Sequence, residues 1–164
     1  MRRSEREVTD PAQIQRVLEG CDCCRVAFAT EGAPYIVPMN FGACRREGKL
    51  CLYFHGAAQG RKAQLAARRP LVGFEMDTGH QLLTADAACG YSYFYESIVG
   101  TGRLEPVEDA AEKREALNCI MAHYTGREGW EIPDAALAET QVLRLAVEEL
   151  SCKAHRPQAG QAHG

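Results

Sequence analysis

A strand-like run that turns directly into a basic helix start constrains this chain more than any other segment. Residues 50–54 (LCLYF) are apolar or aromatic, as strands prefer, and small residues follow them. Gly60, Arg61 and Lys62 then open a helix-like stretch. Free backbone N–H groups and the helix dipole favour an anion there, and the two cations add charge-assisted donors. The pattern predicts either a phosphate site or an ordinary helix start with solvated cations.

The spacing of this segment excludes two common nucleotide-binding motifs. A Walker A loop needs G-x-x-x-x-G-K-[ST], whereas only three residues separate Gly56 from Gly60, and no Ser or Thr follows Lys62. No G-x-G-x-x-G follows a predicted strand, so the chain carries no nicotinamide fingerprint.

Length and charge limit the classes of protein to which the chain can belong. Its 164 residues fit one domain with its own core, predicted over residues 1–153, with a polar, disordered tail over residues 154–164. The net charge of -3 gives no general argument for a nucleic-acid partner. No apolar run reaches the ~20 residues that span a bilayer, and the N-terminus lacks an apolar signal region. We expect a cytoplasmic protein without a membrane or nucleic-acid partner.

The eight cysteines are predicted to be reduced thiols. In a cytosolic chain, thiols and metal ligands are commoner than disulfides. Residues 21–24 contain one C-x-x-C, but no second C-x-x-C or H-x-x-x-H completes a zinc site. Isolated buried thiols behave as small hydrophobic side chains. No metal site is predicted, and zinc or redox use of the C-x-x-C is the alternative.

Apolar alternation and turn residues predict a chain rich in strands. The strands are predicted at residues 24–29, 34–42, 49–55, 71–77, 91–105 and 143–153. Helices are predicted at residues 9–20 and 60–69 and from Asp109 to Gly126, with loops at 78–90 and 125–138. The order is not βαβα, which disfavours a doubly wound sheet. The predicted class is mainly β (α+β), a six-stranded antiparallel barrel with peripheral helices.

Two of the predicted strands contain residues that strands usually avoid. Pro34 and Pro38 cannot both lie in a fully paired central strand, so Pro38 marks a place where the ladder is broken or faces a ligand. Gly100 and Gly102 predict a bend or bulge in the long aromatic strand.

Three motifs in this order resemble those of the pyridoxamine 5′-phosphate oxidase-related flavoproteins. They are residues 34–41 (PYIVPMNF), residues 52–57 with 60–62 (LYFHGA and GRK), and residues 95–102 (YESIVGTG). The likeness is greatest to the 5-nitroimidazole-resistance (Nim-type) branch, which residues 112–113, 116–118 and 123–124 also match. It extends over residues 3–153.

The resemblance implies a split β-barrel that forms a homodimer and binds FMN at the interface between the two chains. The residues it assigns to the isoalloxazine ring are Pro38, Met39, Asn40 and Phe41. Those leading to the ribityl chain are Tyr53, Phe54 and His55, and those holding the phosphate are Gly60, Arg61 and Lys62. Ser97 is the polar contact expected from the partner chain. Gly56 stands where Nim-type relatives often have Ser.

The resemblance also implies a reaction, with the redox chemistry supplied by FMN. The expected enzyme is a nitroreductase-like, FMN-dependent oxidoreductase that reduces small electron-poor substrates such as nitroimidazoles and nitroaromatics. His55 is the catalytic candidate, since an imidazole can donate a proton near neutral pH, and a structural His closing the strand is the alternative. True pyridoxamine phosphate oxidases carry a basic, aromatic C-terminal segment that this polar tail lacks. The alternative function is a non-catalytic flavin- or haem-binding or redox-sensing module.

Overall fold

The computed structural model describes residues 4–156, in which eight strands form one antiparallel sheet. The strands are β1 (Glu7–Val8), β2 (Cys24–Phe28), β3 (Tyr35–Met39), β4 (Phe41–Arg46), β5 (Lys49–Ala57), β6 (Leu71–Leu83), β7 (Ser92–Val107) and β8 (Thr140–His155). The helices are α1 (Pro11–Gly20), α2 (Arg61–Ala66), α3 (Ala110–Thr125) and α4 (Asp134–Glu139). No helix within the described residues is long and apolar enough to cross a membrane.

The order of the strands explains why the barrel is split. The sheet runs β3-β2-β6-β7-β8-β5-β4, with β1 added beside β8. Its two edge strands, β3 and β4, are consecutive in the chain and are joined by Asn40 alone. The chain therefore passes from one edge of the sheet to the other within one residue, which brings the edges together without a ladder between them. The predicted antiparallel split barrel is confirmed.

The predicted number of six strands is wrong. The segment predicted as one strand over residues 34–42 is β3 followed by the start of β4, because Asn40 interrupts it. β1 has only two residues, too few for any alternation to be visible in the sequence. Both differences add a strand without changing the fold class.

Strand alternation fills the barrel with apolar side chains. The inward positions of β2, β5 and β6 hold Val26, Phe28, Leu52, Phe54 and Phe74, all almost fully buried. Each such side chain stabilises the fold by roughly 1.5–3 kcal/mol relative to an exposed one. α1 closes one side of this core with Val17 and Leu18.

The long strand β7 carries the irregularity that its glycines predict. The pairing of β7 with β8 shifts register between Thr101 and Gly102, which leaves Glu148 as the extra residue of a bulge on β8. A Cβ at Gly100 would lie 2.4 Å from the Glu149 carbonyl oxygen, and one at Gly102 would lie 2.3 Å from that of Ala146. Only glycine allows the two strands to approach this closely.

The ends of α1 and α3 lie where capping residues predict them. The Asp10 carboxylate accepts from the Ala12 N–H at 3.1 Å, and that of Asp109 accepts from the Glu112 N–H at 2.8 Å. Gly126 ends α3 with φ of 67° in the left-handed region.

Several other parts of the structure differ from the sequence prediction. Residues 78–90 are not all loop, because β6 continues to Leu83 through polar residues that show no alternation. A six-residue helix, α4, begins inside the loop predicted over residues 125–138 and ends at Glu139. α2 ends at Ala66 rather than near residue 69. β8 continues to His155, which pairs with Tyr95, two residues beyond the predicted end of this strand; residues 157–164 of the predicted tail lie outside the described residues.

Candidate functional site

The predicted phosphate cluster lies at the start of α2, beside the edge strand β3. Gly60 precedes the helix with φ of 104°, a backbone angle at which any residue with a Cβ would be strained. The Arg61 guanidinium lies over the Tyr35 ring, with its Cζ 4.4 Å from the ring centroid. This cation–π contact, of a kind that contributes about 0.5–1 kcal/mol at exposed sites, ties α2 to β3. Tyr35 is a site residue that spacing along the chain did not indicate.

Lys62 is the second cation of the cluster, and its surroundings are unusual for a lysine. Its side chain is half-buried over Gly56, where an added Cβ would lie only 2.2 Å from Nζ. Burial lowers the pKa of Lys62. Within residues 4–156 no carboxylate forms an ion pair with it. A partly desolvated ammonium without a counter-charge is suited to binding an anion.

An unsatisfied acceptor lies on the same face of the sheet. Gln141 on β8 is the ladder partner of Gly56 on β5, and residues paired across a ladder share a face. Its Oε1 is buried and has no hydrogen-bond partner within the described residues. A cleft of about 520 Å³ between α2 and β8 contains both Gly60 and Gln141. Two cations and one buried acceptor fit a phosphate ester that carries hydroxyl groups.

The stretch predicted to run beside a flavin ring, residues 38–41, divides into core and exposed positions. Met39 and Phe41 are buried in the barrel core, whereas Pro38 and Asn40 are exposed. The Phe41 N–H donates to the Tyr124 hydroxyl at 3.2 Å, so it is already satisfied within the chain. Pro38 lies on an edge strand, where its missing N–H interrupts no central ladder. Pro38 and Asn40 therefore offer side-chain surface to a ligand, and the other two do not.

The side chain of Tyr53 contacts other protein groups rather than a ligand site. It is 2% exposed, and its hydroxyl accepts from Arg46 at 3.0 Å and donates to Glu112 at 2.9 Å. Burial is the main reason that its pKa rises to about 12. Phe54 is fully buried in the core. Only the backbone of these two residues is available to a cofactor.

Glu112 is the centre of the charge network around Tyr53. Its Oε1 also accepts from Arg46 at 2.9 Å and from Arg144 at 2.7 Å, and Arg144 pairs in turn with Glu105. The two carboxylates raise the pKa of Arg144. The network joins α3 to β4, β5 and β8, and its role is structural. No short-range signal in the sequence brings Glu112 to Tyr53.

His55 lies next to the phosphate cluster in sequence but on the other face of β5. Successive residues of a strand point to opposite faces, so His55 shares a face with Tyr53 and not with Gly56. Its side chain is exposed and makes no hydrogen bond within residues 4–156. It is therefore accessible to a molecule arriving from solvent.

Ser97 is remote from His55 and the α2 cluster along the strand β8. It lies opposite Lys153 on β8, whereas His55 lies opposite Val142 on the same strand. Eleven residues of strand separate these two positions, roughly 35 Å along β8 at 3.3 Å per residue. One chain therefore cannot bring Ser97 to the α2 cluster.

The part of the chain that the structure describes has no cluster of side chains suited to binding a metal ion. The described residues contain no group of three or more His, Cys, Asp or Glu side chains placed to hold an ion. All eight cysteines are free thiols, and two of those in the C-x-x-C region, Cys21 and Cys24, are buried.

Comparisons with known proteins agree with this architecture. The family model described as pyridoxamine 5′-phosphate oxidase matches residues 10–154. The crystal structure of a candidate 5-nitroimidazole antibiotic resistance protein from Bacteroides thetaiotaomicron is 33% identical, with a TM-score of 0.76, and the match covers 90% of this chain and 86% of that one. Among curated proteins there is no match.

Two more distant structures share the fold. A flavocytochrome from Azotobacter vinelandii is 22% identical, with a TM-score of 0.77, over 96% of this chain and 72% of that one. An FAD- and haem-binding protein from Mycobacterium smegmatis is 20% identical, with a TM-score of 0.75, over 93% and 74%. At these identities the likeness concerns the fold alone.

Proposed function

Because the chain belongs to the pyridoxamine 5′-phosphate oxidase family, we propose that it is a cytoplasmic, FMN-dependent oxidoreductase that reduces small electron-poor substrates such as nitroimidazoles and nitroaromatics. The observation that carries the proposal is the half-buried Lys62 ammonium, which has no carboxylate partner within residues 4–156 and lies over Gly56. The substrate class rests on the candidate nitroimidazole resistance protein, which is 33% identical.

The residues of the α2 cluster would bind the cofactor by its polar end. Lys62 and Arg61 would donate charge-assisted hydrogen bonds to the phosphate, and the Gln141 oxygen would accept from a ribityl hydroxyl. Tyr35 holds the Arg61 side chain beside β3, which reduces the entropy lost when a ligand binds. Bound FMN supplies two-electron redox chemistry.

His55 is proposed as the proton donor to the substrate. Its exposed ring can exchange protons with solvent, and no hydrogen bond within the described residues ties it to the barrel. An imidazole placed within hydrogen-bond reach of a reduced nitro oxygen would deliver the proton that such a reduction requires. His55 acts only on the substrate in this proposal and does not hold the phosphate.

A second copy of the chain is proposed to complete the site. Ser97 is too far along β8 to reach the α2 cluster of its own chain, so only the partner's Ser97 can join it. The outer face of β3, β2, β6 and β7 is suited to such a contact. It exposes Ile36 by 59% and Val99 by 52%, and these apolar side chains border a shallow cleft of about 420 Å³.

Charges at the rim of this outer face favour a self-complementary contact. Arg25 donates to Glu75 at 3.0 Å and to Asp77 at 2.6 Å, which places both signs of charge on one patch. A two-fold axis brings the same patch of both copies together, so that each sign can meet its opposite. FMN would then lie at the interface between the two chains, as the resemblance implies.

The test is cofactor binding followed by turnover. We expect the purified full chain to bind FMN more tightly than riboflavin, since only FMN carries the phosphate that Arg61 and Lys62 recognise. With chemically reduced FMN bound, it should reduce a nitroimidazole, and His55→Gln should lower that rate while leaving the FMN dissociation constant unchanged. A Soret band in place of flavin absorbance, or bound FMN without reduction of any nitroaromatic or quinone, would contradict the proposal.

The dimer has a separate test. Val99→Glu places a charge in the centre of the proposed interface and should convert dimers to monomers in light scattering coupled to gel filtration. Glu148→Lys changes an exposed charge on the β8 bulge instead and should leave the dimer intact. A wild-type chain that is monomeric with FMN bound would contradict the two-chain site.

A further inference from the structure

A second cleft, of about 790 Å³, opens between α1, β4 and α3. It is lined by Leu18, Asn118 and His123 and by two thiols, Cys44 of β4 and Cys119 of α3. None of the residues of the α2 cluster lines it. The proposed flavin function uses no group in this cleft, so its thiols need a separate explanation.

The two thiols lie on elements, α3 and β4, that approach each other unusually closely. An added Cβ at Gly42 would lie 2.6 Å from both the carbonyl carbon of Cys119 and the backbone nitrogen of Ile120. Cys44 follows Gly42 by two residues and therefore points to the same side of β4. Both thiols line the cleft there, Cys44 from β4 and Cys119 from the facing helix α3.

The surroundings favour ionisation of Cys44 over Cys119. Hydrogen bonding from the Cys119 thiol, aided by the nearby charge of Arg46, lowers the pKa of Cys44, against the opposing effects of burial and of the charges of Glu112 and Glu115. Cys119 keeps its proton, because the same hydrogen bond and its burial raise its pKa. The other charged or titratable groups that line the cleft are Glu19, Arg114, His123 and Glu128.

Three other thiols, at Cys21, Cys24 and Cys51, are buried and therefore poorly reactive. Burial raises the pKa of Cys21, Cys24 and Cys51. Cys51 lies directly opposite Cys44 in the ladder between β4 and β5, but it is buried and does not line the cleft. Cys119 lines the same cleft as Cys44, so it is the better-placed second thiol.

We infer that Cys44 and Cys119 form a thiol–disulfide exchange site for low-molecular-weight disulfides such as oxidised glutathione. The Cys44 thiolate attacks one sulfur of the disulfide, the S–S bond breaks, and one thiolate leaves. The Cys119 sulfur, after losing its proton, attacks Cys44 and expels the second thiolate. The protein dithiol is oxidised by two electrons, the small disulfide is reduced to two thiols, and the two protein protons go to those thiols.

The test needs only the reduced full chain, oxidised glutathione and peptide mapping after trypsin. Cys44, Cys51 and Cys119 each fall alone in a tryptic peptide, at residues 26–45, 50–61 and 115–127. We expect the first and third peptides to be recovered as one disulfide-linked species. The exposed Cys89 serves as the reference and should stop at the mixed disulfide with glutathione.

Three results would overturn the inference. They are free Cys44 and Cys119 when Cys89 is fully modified, a stable glutathione adduct on Cys44 of the wild-type chain, and a link between Cys44 and Cys51. Cys119→Ser should trap the glutathione adduct on Cys44, whereas Cys51→Ser should leave the link to Cys119 unchanged. The measurement requires no flavin, so its failure and the failure of the flavin proposal are independent.

Discussion

The ammonium of Lys62 occupies the space in which the side chain of residue 56 would lie, since a Cβ there would be 2.2 Å from Nζ. Glycine at residue 56 therefore sets the position of the cation. A serine at this position would compete with the ammonium for the same space.

Replacing Gly56 with Ala should weaken FMN binding by about 10-fold, because the displaced ammonium loses one charge-assisted hydrogen bond. The melting temperature should change little, since the group that must move is the end of a flexible side chain. Titration calorimetry measures the first effect and calorimetric unfolding the second. Gly32→Ala is the matched control, because nothing lies within 4 Å of a Cβ at that exposed turn. Equal FMN affinities in the two variants would contradict the role of Gly56.

The affinity for FMN should fall at alkaline pH. Burial holds the pKa of free Lys62 below its ordinary value of 10.5, and a bound phosphate raises it again. FMN binding is then accompanied by proton uptake. The affinity for FMN is therefore full below the pKa of Lys62 in the free protein, and it is lost as the pH rises from that pKa toward the pKa of Lys62 in the FMN complex. The measurement is the ratio of the riboflavin to the FMN dissociation constant from about pH 7 to about pH 10. Because both ligands carry the same isoalloxazine ring, titration of the ring cancels in this ratio and the effect of Lys62 on the phosphate remains. Lys62→Arg should abolish the dependence, and a ratio that stays constant in the wild type would count against it.

Arg61→Ala should weaken FMN binding by about 10- to 100-fold, since a hydrogen bond to a charged group contributes roughly 1.5–3 kcal/mol. Tyr35→Leu should have a smaller effect in the same direction, because it removes only the ring that holds the guanidinium. Arg68→Ala, an exposed cation just beyond α2, is the control and should bind normally. An Arg61→Ala variant with wild-type affinity would rule out the phosphate role.

Tyr53→Phe should lower the free energy of unfolding by about 1–2 kcal/mol, because Arg46 and Glu112 lose their shared partner in a partly buried network. Its FMN affinity should equal that of the wild type. Chemical denaturation and flavin titration of the same preparation separate the two readouts. Tyr91→Phe, at an exposed position, should change neither. A loss of flavin affinity without a loss of stability would show that the Tyr53 hydroxyl contacts the cofactor.

Cys119→Ala should slow alkylation of Cys44 at neutral pH by a few-fold and shift its rate profile to higher pH. The variant removes the thiol that donates to Cys44, so the pKa of Cys44 rises and less of the reactive thiolate is present. Iodoacetamide labelling followed by mapping of the peptide over residues 26–45 measures the rate. Cys152→Ala, a buried thiol on β8, is the control. An unshifted profile would show that Cys119 does not support the Cys44 thiolate.

Local chemistry made part of this structure predictable from the sequence. Asp10, Asp109 and Gly126 mark helix ends through hydrogen bonds and backbone angles that span four residues or fewer. Gly100 and Gly102 predicted the irregular pairing of β7 because glycine inside a strand usually marks a bulge or a close approach of another backbone. The order of the three motifs was sufficient to predict the family and, through it, the split barrel.

The chemistry of the candidate site depends on contacts that no spacing along the chain encodes. The aromatic end of β5 suggests a ligand wall, but Tyr53 bonds to Glu112, 59 residues away. The unsatisfied Gln141 oxygen and the pairing of Cys44 with Cys119 likewise arise from strand register and helix docking. The break at Asn40 was invisible because β3 and β4 continue the same apolar pattern on both sides of it.

The short strand β1 lies beside the end of β8, with Glu7 opposite Lys153 and Val8 opposite Cys152. The first and last described strands therefore leave the barrel side by side, which makes the backbone nearly a closed ring. A linker could join these two strands, and new ends could open in the turn between β4 and β5, where Gly48 is exposed. Such a rearranged chain would keep every ladder of the sheet and would have its new ends at the tip of the β4–β5 hairpin.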